Sequence, residues 1–288
     1  MNGTTMSFKS IINNLAKKNN VAAQSVLQTY MLERLLERIS ISKYKHNFIL
    51  KGGMLISAML GIDSRTTMDM DTTIKGFLLT EENIKKIFTE ICNIEIYDNV
   101  DIQLKKINLI RETDEYGGYR ATFEAKYNNE MPVIMKIDIT TGDQITYKEI
   151  EYNFNLMLED RSIKIWSYNI ETIVAEKFET IISRNVATTR IRDYYDVYML
   201  MNTQRKNIDD KILKDAIIST AKHRETIEKI EDCKRIIEVI KQDERLKSLW
   251  EKYKKDNFYA QGIEYSELTN VINKVGQIYK DKTVNSNN

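Results

Sequence analysis

Apolar residues recur at helical spacing in one long segment near the start of the chain. The segment covers residues 21–39, and residues three or four positions apart lie on one face of a helix. The apolar stripe consists of Leu27, Met31, Leu35 and Ile39. Four charged residues fall mostly off that stripe: Glu33, Arg34, Glu37 and Arg38. The pattern predicts an amphipathic helix.

The next part of the chain alternates between strand-like and helical patterns. A short apolar run at residues 48–50 ends at the glycine pair Gly52-Gly53, and a helical pattern follows at residues 54–60. Thr80 is a suitable N-cap for a helix that continues to residue 91. Strands are predicted over residues 66–74, 100–109, 119–127 and 132–140, with turns at residues 114–118 and 128–131.

From Asn169 onward the pattern is helical. Helices are predicted over residues 170–184, 191–201, 208–220, 227–240 and 265–278. The change of period near Trp166 predicts a core domain with N-terminal helices over residues 1–166 and a helical domain over residues 167–288. The predicted fold class is α+β.

Composition narrows the class of protein further. The chain has 288 residues, of which 42% are hydrophobic and 30% charged, so disordered and fibrous classes are excluded. The 43 Lys and Arg residues nearly balance the 42 Asp and Glu residues, so any nucleic-acid site must be local. No apolar run has the length of a membrane span or a signal peptide, and we expect a cytoplasmic protein. Cys92 and Cys233 are far apart, which favours free thiols.

Three aspartates are candidates for metal ligands. Asp69 and Asp71 are two residues apart on a predicted strand, so their carboxylates project from the same face. Such a pair suits Mg²⁺, which takes one or two carboxylates and completes its shell with water and phosphate oxygens. Asp138 faces away from Ile137 and Ile139 on a later strand and is a candidate third ligand. The alternative for Asp69 and Asp71 is a pair of solvated acids on an edge strand. The alternative for Asp138 is an ordinary outward-facing aspartate.

The glycine pair is a candidate phosphate site. Gly52 and Gly53 stand between a predicted strand and a predicted helix, where a helix N-terminus offers free N–H groups to an anion. Lys51 and Arg65 add positive charge nearby. A plain turn is the alternative, since glycine pairs are common in turns.

Lys177 lies within the apolar stripe of its predicted helix, which is unusual for a charged residue. It is interpreted as a ligand for an anion, together with Arg184 two turns later. Asp193 and Asp196 share a face of the next helix. Salt bridges between the helices, or a lysine that extends to solvent, are the alternatives.

A basic and aromatic segment is a weaker candidate for RNA contact. It contains Lys252, Tyr253, Lys254 and Lys255, followed by Phe258 and Tyr259. Basic and aromatic side chains together bind single-stranded RNA. A solvated helix end is the simpler explanation.

Several of these segments together resemble, in order and spacing, the AbiEii/AbiGii family of nucleotidyltransferase-like toxins from bacterial abortive-infection and toxin–antitoxin systems. The resemblance covers roughly residues 48–201. Its motifs are Lys51-Gly52-Gly53, the run from Arg65 to Asp71, Ile137-Asp138-Ile139, Ala175-Glu176-Lys177 continuing to Arg184, and the run from Arg192 to Asp196. The chain has Gly-Gly where related transferases often have Gly-Ser.

This resemblance implies a polymerase-beta-like nucleotidyltransferase core with a mixed sheet, an all-helical C-terminal domain and a nucleotide between them. Asp69 and Asp71 match the family's pair of ligands for Mg²⁺ or Mn²⁺, with Asp138 as a third. Either Asp193 or Asp196 matches the acid of the last motif. The nucleotide contacts that the resemblance implies are Lys51, Gly52, Gly53, Arg65, Lys177 and Arg184.

The implied reaction is transfer of a nucleoside monophosphate from an NTP to an acceptor hydroxyl. The leading acceptor is the 3′ end of tRNA, whose modification blocks translation and growth during phage infection. The resemblance also implies a separately encoded antitoxin, a DNA-binding repressor. Two alternatives stay open: a protein or small-molecule acceptor, and a toxin that binds NTP without turnover.

Overall fold

The computed structural model describes residues 4–110 and 117–281. The chain forms two compact units. The first contains the residues up to Asp143 and the segment Ile150–Ser167, and the second contains Gln144–Glu149 and the residues from Tyr168 onward. The turn predicted at residues 114–118 lies mostly outside the described residues.

Helices and strands alternate along the first unit. In chain order they are α1 (Thr5–Lys18), α2 (Ala23–Ile41), β1 (Phe48–Lys51), α3 (Gly52–Leu60), β2 (Asp69–Ile74), α4 (Glu81–Cys92), β3 (Val100–Ile110), β4 (Gly118–Tyr127), β5 (Glu130–Thr140), β6 (Ile150–Asn155) and β7 (Ser162–Ser167). The strands form a seven-stranded sheet in the order β3-β4-β5-β2-β1-β7-β6. β1 runs antiparallel to β2 and parallel to β7, and β2 runs parallel to β5. The sheet is therefore mixed, and the predicted α+β class is confirmed.

Local sequence signals set several of these boundaries. The Thr80 hydroxyl accepts a hydrogen bond from the Asn83 amide at 3.2 Å, so α4 begins at the predicted N-cap. Asn128 and Asn129 have φ angles of 50° and 61°, a left-handed conformation that asparagine tolerates in tight hairpin turns. This turn joins β4 to β5 and fixes the register that places Asp138.

Helix α2 is buried on nearly all sides, which differs from the amphipathic helix predicted by the pattern. Its charged residues Glu33, Arg34, Glu37 and Arg38 lie in the interior. Arg34 pairs with Glu33 at 2.7 Å and with Glu159, between β6 and β7, at 2.8 Å. Arg38 pairs with Asp98 at 2.8 Å. The pattern did not predict β6 and β7, whose connecting turn supplies charged partners for the polar side of the helix.

The second unit contains a series of helices. They are α5 (Ile170–Arg184), α6 (Ile191–Thr203), α7 (Asp210–His223), α8 (Ile227–Glu231), α9 (Cys233–Gln242), α10 (Glu244–Asp256) and α11 (Tyr265–Lys280). The single helix predicted over residues 227–240 is interrupted at Asp232, and α10 was not predicted. Tyr194, Tyr195 and Trp250 are fully buried in this unit. Within the described residues, none of the helices combines the length and the apolar character needed to cross a membrane.

Candidate active site

Two aspartates at the start of β2 lie on the same face of the sheet. Asp69 is exposed and Asp71 is half-buried, whereas Met70 between them is buried on the other face. Asp71 pairs in register with Lys51 of β1 on one side and with Asp138 of β5 on the other. Side chains of residues paired across strands emerge on one face with Cβ atoms about 5 Å apart. The structure therefore brings the three predicted acids together.

The glycine turn between β1 and α3 lies directly against Asp71. Gly52 has a φ of +63°, and a Cβ at this position would lie 2.0 Å from Oδ2 of Asp71. The amide of Gly53 donates a hydrogen bond to the same oxygen at 3.4 Å. The N-terminus of α3 thus directs N–H groups toward the acid pair, and such groups also bind phosphate.

Lys51 and Arg65, both candidates for phosphate contact, are buried beside this turn. Nζ of Lys51 lies 2.7 Å from Oδ2 of Asp143 and 2.7 Å from Oγ1 of Thr140. Burial opposes ionisation of Asp143, but the charge of Lys51 together with hydrogen bonds from neighbouring side chains holds the pKa of Asp143 below its usual range. A Cβ on Gly53 would come within 3.1 Å of Nη2 of Arg65. Both cations therefore pack next to the turn that carries the two glycines.

An arginine from the neighbouring strand holds the carboxylate of Asp138. Arg120 of β4 is the register partner of Asp138, and its Nε and Nη2 donate to Oδ1 and Oδ2 at 2.7 and 2.8 Å. This bidentate arrangement is the strong form of an arginine–carboxylate pair. The role of Arg120 is not predictable from sequence alone, because a single arginine in a strand carries no signal until the strand register is known.

The acid pair provides carboxylate oxygens of the kind that bind a magnesium ion. Mg²⁺ binds one or two protein carboxylates and leaves its other positions to water and phosphate, and Asp69 and Asp71 offer two carboxylates on one accessible face. Across residues 4–110 and 117–281, no set of three His, Cys, Asp or Glu side chains has the spacing to hold a metal ion. Asp138 instead directs its oxygens to Arg120. The residues present therefore fit a metal ion held by the pair.

A buried ion-pair cluster in the second unit joins α5 to α6. Nζ of Lys177 lies 2.8 Å from both Asp193 and Asp196, and Arg190 reaches Asp193 at 2.7 Å. Burial opposes the charge of Lys177, yet the two carboxylates raise its pKa above the usual value. Arg184 is exposed at the end of α5. The structure therefore shows salt bridges between Lys177 and both aspartates of α6.

The aromatic residues near the end of α10 differ in their exposure to solvent. Tyr253 is buried, and its ring lies 5.5 Å from Trp250 and 5.9 Å from Tyr195 between ring centres. Its hydroxyl lies 3.1 Å from that of Tyr259. The Tyr253 ring therefore belongs to the aromatic core of the second unit, whereas Phe258 is exposed.

The mixed sheet, the acid pair and the glycine turn at a helix N-terminus define a nucleotidyltransferase-like protein. Two solved structures from Helicobacter pylori share this fold. A candidate nucleotidyltransferase is 16% identical with a TM-score of 0.52, and the match covers 90% of this chain and 96% of that one. The protein JHP933 is 15% identical with a TM-score of 0.53, and the match covers 90% and 93%.

The chain belongs to the AbiEii family of nucleotidyl transferase toxins from type IV toxin–antitoxin systems. The model of this family matches residues 34–268, a span that includes the acid pair, Asp138 and the Lys177 cluster. No curated protein matches the sequence. The family resemblance predicted from the motifs is confirmed, and membership implies a transferase with a separate antitoxin partner.

Proposed function

We propose that this toxin transfers a nucleoside monophosphate from an NTP to RNA, at the 3′ end of tRNA. Modification at that end would prevent aminoacylation and stop translation. The reaction would take place in the cytoplasm, and growth arrest of an infected cell would limit phage multiplication. The separately encoded antitoxin is proposed to be a DNA-binding repressor.

The observation that carries this proposal is the position of Asp69 and Asp71 beside the glycine turn. Two carboxylates and a helix N-terminus meet at one end of the central strands β1 and β2, with Gly53 N–H 3.4 Å from the carboxylate of Asp71. A metal–triphosphate complex presents cationic and anionic groups together, and these two features complement both. Membership in a nucleotidyl transferase family supports the same reaction class.

The roles of the residues follow from their positions. Asp69 and Asp71 would hold Mg²⁺ or Mn²⁺, and the ion when bound would neutralise charge on the triphosphate as pyrophosphate leaves. The N–H groups at Gly52 and Gly53 would bind and orient phosphate oxygens. Asp138 would accept the proton of the attacking hydroxyl. The family resemblance assigns Lys177 to the triphosphate, and Asp193 and Asp196 keep its ammonium group charged, as that role requires.

The direct test is incubation of the purified protein with Mg²⁺, total tRNA and each α-labelled NTP in turn. We expect wild type to label tRNA with one or more nucleotides. The double variant Asp69→Asn, Asp71→Asn should lose labelling by about a hundredfold or more, because the ligands of the metal are gone. Asp101→Asn removes an exposed carboxylate on β3 that bonds only to Gln103 at 2.8 Å among the contacts described, and it should label tRNA as wild type does.

The fraction that carries label decides between the alternatives. If label appears in a protein or a small molecule and none in tRNA, the proposed acceptor is wrong but the protein is still a nucleotidyltransferase. The third outcome is that no pyrophosphate is released with any acceptor, although NTP and Mg²⁺ raise the Tm. That result would identify a toxin that binds nucleotide without turnover.

A further inference from the structure

Arg120 stands in the same row of side chains as the acid pair. Lys51, Asp71, Asp138 and Arg120 are register partners on four neighbouring strands, in the order β1, β2, β5 and β4. Their side chains therefore emerge on one face of the sheet. Lys51 pairs with Asp143 at 2.7 Å, so its charge is balanced at the other end of the row. Arg120 is the counter-ion of Asp138.

We propose that Arg120 is a positioning residue that holds Asp138 until a divalent cation displaces it. The inference rests on the proposed function, because it concerns the metal that the acid pair would bind. Both oxygens of Asp138 accept hydrogen bonds from Arg120, at 2.7 and 2.8 Å. A cation bound by Asp138 would lie beside the guanidinium, and the two positive charges would repel. Asp138 therefore becomes a metal ligand when Arg120 leaves it.

The exposure of the pair allows this exchange. The side chain of Arg120 is 40% exposed and that of Asp138 is 19% exposed, so the guanidinium can turn into water without leaving a buried charge behind. Asp69 and Asp71 lie on the same face of the sheet as Asp138, so the guanidinium of Arg120 lies in the electric field of three carboxylates. Arg120 thus responds to all three acids. A first cation bound by Asp69 and Asp71 would weaken the interaction between Arg120 and Asp138. Asp138 would then be able to bind a second cation.

A purely structural role makes a different prediction. The ion pair could serve only to fasten β4 to β5, but these strands are already paired through their backbones from Tyr119↔Ile139 to Tyr127↔Glu130. If fastening were its only role, Arg120→Gln would lower the Tm and leave metal affinity unchanged. Metal affinity in the absence of nucleotide is therefore the measurement that separates the two roles.

The experiment is a Mn²⁺ titration of the full chain, with free Mn²⁺ followed by its electron paramagnetic resonance signal. Arg120→Gln keeps a hydrogen-bond donor but removes the charge, and we expect it to tighten the weaker phase of Mn²⁺ binding by about tenfold. The matched control is Lys136→Gln on β5. Lys136 is exposed and is the register partner of Asp69, so the same charge is lost beside the acid pair without the loss of an ion pair to Asp138. Its effect should stay below about twofold.

A second pair of variants isolates the role of Asp138. In an Asp138→Asn background, Arg120→Gln should no longer change Mn²⁺ affinity, because the group that Arg120 competes for is gone. Equal effects of Arg120→Gln and Lys136→Gln, or an effect that persists in the Asp138→Asn background, would overturn the proposal.

Failure of this inference is distinguishable from failure of the proposed function. One outcome is that wild type binds Mn²⁺ and labels tRNA while Arg120→Gln binds Mn²⁺ no more tightly than wild type. In that case the proposed role of Arg120 is wrong, and the proposed transferase activity is unaffected. If wild type and all folded variants fail to bind Mn²⁺, the proposed metal site is wrong and the inference falls with it.

Discussion

Gly52 is the position at which the smallest change should disturb the acid pair. Gly52→Ala places a methyl group 2.0 Å from Oδ2 of Asp71 at a φ of +63°, so both the backbone and the carboxylate must move. We expect the free energy of unfolding to fall by about 1–3 kcal/mol and Mn²⁺ affinity to fall by at least about tenfold. Urea unfolding and Mn²⁺ titration measure the two effects separately.

The control is Gly262→Ala in the second unit. Gly262 has a similar φ of +83°, but a Cβ there would meet nothing within 4 Å. This variant should lose about 1 kcal/mol of stability through backbone strain alone and keep wild-type affinity for Mn²⁺. Unchanged Mn²⁺ binding in Gly52→Ala would show that Asp71 does not hold the metal.

The acids of the site could be predicted from sequence, whereas their counter-ions could not. Asp69 and Asp71 share a face because strands have a period of two, and Asp138 alternates with Ile137 and Ile139 in the same way. Arg120 joins them through the register of β4 on β5, which depends on the hairpin between those strands. A single strand does not show which residue its neighbour places alongside.

At the scale of elements, α2 depends on charges that lie far away in the sequence. Arg34 is 1% exposed and pairs with Glu33 at 2.7 Å, Glu37 at 2.9 Å and Glu159 at 2.8 Å. Arg34→Ala should reduce the free energy of unfolding by about 3–5 kcal/mol, since it leaves the buried carboxylate of Glu33 without its cation. Urea denaturation followed by circular dichroism measures this loss.

Arg161 provides the matched control, because it pairs with two of the same acids from an accessible position. It lies 2.6 Å from Glu37 and 2.7 Å from Glu159, but its side chain is 45% exposed. Arg161→Ala should cost less than about 1 kcal/mol, as water replaces much of the interaction. If both variants lost the same stability, burial would not determine the strength of this network.

The strands β6 and β7 explain why the sequence pattern failed for α2. Each strand is six residues long, and their apolar alternation is limited to Ile150, Tyr152 and Phe154 in one and Ile163 and Ile165 in the other. So short an alternation is weak evidence for a strand. Without these strands, Glu33 and Arg34 have no visible reason to be buried, and helical periodicity alone assigns them to a polar face.

At the scale of the whole molecule, each unit contains a lysine–aspartate pair that is largely shielded from water. Lys51 pairs with Asp143 in the first unit, and Lys177 pairs with Asp193 in the second. Burial opposes ionisation of both aspartates, but the neighbouring cations hold the pKa of each below the ordinary value of 3.8. The stabilisation from these pairs is present above that value and is lost as the pH falls through the lowered pKa.

We therefore expect the urea midpoint to decrease as the pH is lowered from about 4 toward 2. Asp143→Asn and Asp193→Asn should each make that decrease shallower, since each removes one group that takes up a proton on unfolding. Asp101→Asn, which changes an exposed carboxyl on β3, should leave the slope as in wild type. An equal slope in all four proteins would contradict the role of these lysine–aspartate pairs.

The division of the chain between the two units has a consequence for synthesis on the ribosome. The chain leaves the first unit after Asp143, contributes Gln144–Glu149 to the second, and returns with Ile150–Ser167. Until that segment emerges, β1 lacks the neighbour that β7 provides at Ile49↔Trp166 and Leu50↔Ser167. The nascent sheet therefore has an open edge next to the glycine turn, and the candidate active site gains its full support only after Ser167 has been translated.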